Sequence, residues 1–241
     1  MDKDLSQAWA WIMGAYALTA ADLVLWAGIT AAYLAMAAAV SDLPLAGGVL
    51  LIFLTPIVVA GVLREAAHPR AAGGGYARRA RQIFVGVLRD PDLALPAMSV
   101  ATILLGAWVF LTVVAMVLGV DAASLESMFA HRDLLARVFT GVLLAIFWGL
   151  EAALIMTALY VLAATVLGAS RPLDALEQTF ALWRRQPLTI AGLGAAFVLP
   201  LILASYFGPW IHILAAFVIF VPLTLSVYLS HESRQTTDPR P

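Results

Sequence analysis

The chain has 241 residues and a net charge of −1. Of its residues 63% are apolar and 12% charged, with a mean hydropathy of +0.94. Soluble domains carry about 25% charge, so the composition excludes one and predicts an integral membrane protein. Near-neutral charge argues against nucleic acid as a partner, and the absence of Cys excludes disulfides, iron–sulfur clusters and thiolate zinc sites.

Along the chain, Met1-Asp2-Lys3-Asp4 lacks the basic flank of a secretory signal, and the first long apolar run begins only at Leu23. Residues 23–40 are therefore expected as a retained anchor. Ahead of them, Leu5, Ala8, Trp9, Ile12 and Tyr16 share one face of a helix. Further membrane-length runs are predicted at 46–63, 93–120, 138–168, 188–206 and 209–229. Asp42-Leu43-Pro44 and Phe207-Gly208-Pro209 read as tight turns between paired runs.

Two further amphipathic segments precede hairpins. In 76–89, Tyr76, Ala80, Ile83, Phe84, Val87 and Leu88 oppose Arg78, Arg79, Arg81 and Gln82. In 173–185, Leu173, Leu176, Phe180 and Trp183 line one face, with Pro172 at the start. Asp174 and Glu177 near the beginning and Arg184 and Arg185 at the end match the helix dipole. The expected fold is all-α: six transmembrane helices in three units, at about 4–64, 76–168 and 173–230. Each unit is an elbow lying in the headgroup layer followed by a helical hairpin. Together they make one domain, 1–230, with a polar disordered tail, 231–241.

The basic residues set the orientation. Lys3, Arg64, Arg70, Arg78, Arg79, Arg81, Arg89, Arg171, Arg184, Arg185, Arg234 and Arg240 fall on one side of this threading, and Arg132 and Arg137 on the other. Positive charge stays inside, so both termini are expected in the cytoplasm.

Thr157 to Leu162, Arg171 to Leu176 and Trp183 to Leu188, with a looser second copy from Pro56 through Arg64 to Leu95, resemble a broad group of bacterial six-helix inner-membrane proteins that includes the YciC-like proteins. The resemblance implies the six-helix architecture and a bacterial cytoplasmic membrane. It supplies no catalytic residues.

Glu151 is the first candidate for chemistry, because a carboxylate inside a span is costly and points to an ion or substrate path or to a packing hydrogen bond. Thr157, Tyr160, Thr102 and Thr112 are its candidate partners, and Gly149 beside it marks a point where the long fourth run either breaks or simply extends. Arg78, Arg79, Arg81, Arg184 and Arg185 are candidates for contact with anionic lipid headgroups or a partner. Asp22 and His212 read as structural, and Asp121, Glu126, His131, Arg132 and Asp133 as a solvated loop without metal spacing. Neither H-E-x-x-H, G-x-S-x-G nor a Walker A motif occurs, so the expectation is a non-enzyme without cofactor or metal. The leading reading is an accessory, assembly or structural subunit bound laterally to a partner membrane protein or a second copy. The alternative is a transporter or channel for a small solute, proton or lipid that uses Glu151.

Overall fold

The computed structural model describes residues 2–41, 43, 46–68, 75–118, 134–168, 170–206 and 209–237. The described chain is helical throughout, with nine helices along it: α1 (Asp2–Ala21), α2 (Leu23–Ser41), α3 (Ala46–Ala67), α4 (76–89), α5 (Pro91–Leu118), α6 (Leu134–Gly168), α7 (Pro172–Arg185), α8 (187–206) and α9 (Pro209–Thr237). A π-helical turn interrupts α4 at Gln82–Gly86 and α8 at Gly194–Val198. Five helices are long and apolar enough to cross a membrane, within α2, α3, α5, α6 and α9, and α8 contains a shorter apolar stretch, Pro187–Leu201. These make the chain a multi-pass membrane protein by length and composition.

Three helices form the centre. α3, α6 and α9 pack against one another, and each peripheral helix sits in a groove between two of them: α2 against α3 and α9, α5 against α3 and α6, α8 against α9 and α6. The three amphipathic helices follow the same cyclic order. α4 lies on α3 and α2, α7 on α6 and α5, and α1 crosses to the far end of the sequence to lie on α9 and α8. Thr189 donates to the Asp4 carbonyl at 3.3 Å where α1 meets α8. Hydrocarbon solvates a Leu side chain as well as a protein core does, so close packing and polar contacts hold such helices together, rather than the hydrophobic effect.

The amphipathic helices divide their apolar residues between protein and surroundings. In α1, Ala8, Trp11, Ile12 and Ala15 are buried, whereas Leu5, Trp9 and Met13 are exposed. In α4, Ile83 and Val87 are buried, while Tyr76 and Leu88 are exposed. In α7, Ala175 and Thr179 face the bundle, while Leu173 and Phe180 are exposed. In α4 and α7, exposed apolar residues on a helix that also carries arginines suit the boundary between headgroups and acyl chains.

Two glycines are required by geometry. Gly75, at φ +66°, sits just before α4 in the left-handed region that favours glycine. Gly61 of α3 faces the α4 backbone so closely that a Cβ there would stand 2.4 Å from the Ile83 carbonyl oxygen. The π-turn of α4 lies at this crossing.

One expectation changes, and one open alternative is decided. α9 continues through Thr237, so 231–237 is helical rather than part of a disordered tail, and Arg234 within it packs over two aromatic rings of the bundle. Residues 238–241 lie outside the described part. α6 runs unbroken past Gly149 to Gly168, so no opened backbone flanks Glu151.

Candidate functional site

Polar chemistry concentrates at two levels: the end of the bundle where the amphipathic helices lie, and one position deep within it. At the first level, Asp22 is the single residue between α1 and α2, and Glu65 is in the last turn of α3. Arg79 of α4 reaches both, with Nη1 2.6 Å from Asp22 Oδ2 and Nε 2.8 Å from Glu65 Oε1. The Arg79 side chain is 13% exposed and that of Glu65 6%. Burial alone would depress the guanidinium pKa, but hydrogen bonds and charge attraction from Glu65 and Asp22 outweigh it, and the pKa is raised. This arginine is committed to the protein. Arg78 and Arg81, its neighbours in sequence, are exposed.

The next corner is held more loosely. Arg64 Nη1 meets Asp90 Oδ2 at 2.7 Å, with side chains 41% and 30% exposed. Asp90 Oδ1 also accepts from the Asp92 N–H at 3.1 Å, capping the start of α5.

Arg234 of α9 lies between α1 and α6. Its Cζ is 5.7 Å from the ring centre of Trp11 and 5.3 Å from that of Tyr160, and Nη2 donates to Ser230 Oγ at 2.6 Å. The Tyr160 hydroxyl is 3.1 Å from the same Ser230 Oγ. Trp183 of α7 donates to Thr157 Oγ1 at 3.1 Å, which fixes α7 on α6. Arg184 and Arg185, at the end of α7, are exposed.

Glu151 occupies the second level, midway along α6. At 1.5 Å per residue it is about 26 Å from Gly168, the end of the helix that leads into α7. It lines a groove of about 410 Å³ between α3, α5 and α6 together with Leu51, Thr55, Leu104, Trp108 and Thr112. Trp108 is half exposed, so the groove has a rim on the outer surface. The groove wall is apolar apart from Glu151, the hydroxyls of Thr55 and Thr112 and the indole N–H of Trp108. Both threonines already donate to their own helix, to the carbonyls of Leu51 and Trp108. Among the described residues, no side chain hydrogen-bonds to Glu151 or pairs with it.

Of the expected partners of Glu151, Thr112 shares its groove. Thr157 is occupied by Ala153 and Trp183, Tyr160 by Ser230, and Thr102 by the Met98 carbonyl. Asp121, Glu126, His131, Arg132, Asp133 and the side chain of His212 lie outside the described residues. Among those described, no three His, Asp or Glu side chains gather as a metal-binding cluster.

Glu65 escaped the sequence reading, and the packing role of Arg234 escaped it too. Glu65 had a signal: a carboxylate in the last turn of a helix opposes the dipole and calls for a cation. Arg234 had none, being one basic residue in a polar, Pro-containing end.

No family model, no curated protein and no solved structure matches this chain.

Proposed function

We propose that this chain is a non-enzymatic accessory subunit of a membrane complex, and that the groove at Glu151 receives a transmembrane helix of a partner protein. The observation that carries this reading is a carboxyl group deep in an apolar groove with no partner among the described residues. In hydrocarbon a polar group must find a hydrogen bond, and polar side chains act as glue between helices for that reason. A helix carrying a Ser, Thr, Asn, Gln or His at the right level supplies what Glu151 lacks. Transport of a polar solute calls for a polar cavity reaching Glu151, and the apolar wall of the groove favours association instead.

The reading includes six spans, with α8 as the sixth. Residues 187–206 would extend about 30 Å as a helix, enough for the hydrocarbon core. It includes three elbow-and-hairpin units around a pseudo-threefold axis, supported by the cyclic packing of α3, α6 and α9. Membership of the group that includes the YciC-like proteins, a bacterial inner-membrane location and cytoplasmic termini belong to the same proposal. So do contacts of Arg78 and Arg81 with anionic headgroups.

Substitution at Glu151 tests it. A Glu151→Gln variant keeps shape and hydrogen bonding and should retain whatever co-purifies in mild detergent. Glu151→Leu folds equally well in lipid but should weaken the association about three- to fifteen-fold, the range of one interhelical hydrogen bond. Equal recovery from wild type and both variants would remove the groove from the association.

A further inference from the structure

A second cavity, of about 560 Å³, opens at the end of the bundle where the amphipathic helices lie, between α6, α7 and α9. Arg185, Arg234, His231, Gln178, Ser170 and Tyr160 are among its polar lining, and that lining, among the described residues, includes no carboxylate. Arg234 is held in place by the faces of Trp11 and Tyr160 and by Ser230. Arg185 comes from a different helix, at the end of α7. The adjoining cavity toward α3 and α5 is different, because Asp90, Asp92 and Glu232 line it alongside Arg64 and Arg171.

We propose that the cavity between α7 and α9 is a binding site for a phosphate-bearing anion, either the headgroup of an anionic phospholipid or a free phosphate. Two guanidiniums lining one cavity from different helices match the forked, multidentate recognition that phosphate oxygens take. Gln178 and Ser170 add neutral donors. The volume falls within the range of small-molecule sites. The position also fits: Leu173 and Phe180, exposed on the outer side of α7, place that helix at the edge of the acyl region, so the cavity beside it lies at headgroup depth. An arginine already fixed by ring faces loses little freedom when an anion arrives, which favours binding.

The test uses the full chain in phosphatidylcholine nanodiscs, with native mass spectrometry as the readout and phosphatidylglycerol or inorganic phosphate as the probe. The Arg185→Gln variant alters the cavity wall at an exposed residue and should leave folding intact. Arg184→Gln, exposed and outside the cavity lining, is the control. Wild type and Arg184→Gln should retain a stoichiometric adduct, and Arg185→Gln should bind about tenfold more weakly or worse. A phosphatidylglycerol adduct that inorganic phosphate does not displace assigns the site to lipid. A phosphate adduct in the absence of phosphatidylglycerol assigns it to the free ion. Equal weakening in Arg184→Gln and Arg185→Gln, or no adduct with either probe, would overturn the proposal. Neither result bears on Glu151, which lies in a different groove.

Discussion

At the scale of single residues, burial separates two arginines that both form ion pairs between elements. Arg79 is shared by Asp22 and Glu65 with little solvent access. Removing the arginine leaves a buried carboxylate uncompensated, which costs about 3 kcal/mol. Arg64 and Asp90 are wet enough that their pair is worth no more than about 1 kcal/mol. Arg79→Ala should therefore lower thermal stability in detergent far more than Arg64→Ala. Similar losses for the two would mean that Arg79 is not the tie between α4, α3 and the α1–α2 corner.

Legibility differed residue by residue for the same reason. Glu151 was visible because a lone carboxylate in a long apolar run is costly and stands out, whether it serves packing or a path. Arg78, Arg79 and Arg81 were visible as a cluster, but their division was not. Helical periodicity gave one polar face, and only the neighbouring ends of α1 and α3 determine which arginine turns inward. Arg234 was counted as a topology signal because nothing local announces that residues 231–237 stay helical. Its role comes from Trp11 and Tyr160, far away in sequence.

At the scale of elements, the amphipathic helices show why hydrophobic periodicity reads existence better than orientation. Leu5, Ala8, Trp9 and Ile12 belong to one broad apolar face by spacing, yet Ala8 and Ile12 are buried while Leu5 and Trp9 are exposed. Small residues on the protein side, such as Ala8 and Ala15, allow backbones to approach. Gly61 is the extreme case. A Gly61→Ala substitution drives a methyl group to 2.4 Å from the Ile83 carbonyl, and relief requires α4 to lift from α3. The expected cost is about 1–3 kcal/mol, with faster hydrogen exchange confined to α4. Gly106→Ala on α5, where a Cβ meets nothing within 4 Å, should be silent. Unchanged exchange in α4 of Gly61→Ala would mean that the contact with α3 does not hold it.

At the scale of the whole molecule, the apolar runs were legible from composition and length, and five of them stand as helices of membrane length, while Asp42, Pro44, Phe207 and Gly208 of the expected turns lie outside the described residues. The cyclic order was out of reach of sequence, because it is written in long-range contacts such as α1 on α9. The chain offers a clean background for testing its threading, since it contains no cysteine. Single cysteines at Ser6 and Ser233 should react with a membrane-impermeant maleimide from the cytoplasmic side only, and one at Leu43 only from the opposite side. Labelling of Ser6 and Ser233 from different sides would leave an odd number of crossings and remove α8 as a span.

The central claim is that a partner helix occupies the groove at Glu151. The most direct measurement places a photocrosslinking residue at Leu104 or Leu154, which line that groove, and irradiates native membranes. The account predicts a discrete crosslinked membrane protein from these positions that is sharply reduced by Glu151→Leu and kept by Glu151→Gln. Crosslinks to lipid alone, or a protein crosslink that Glu151→Leu leaves unchanged, would contradict it. A product of twice the chain's own mass would make the occupant a second copy rather than a different protein.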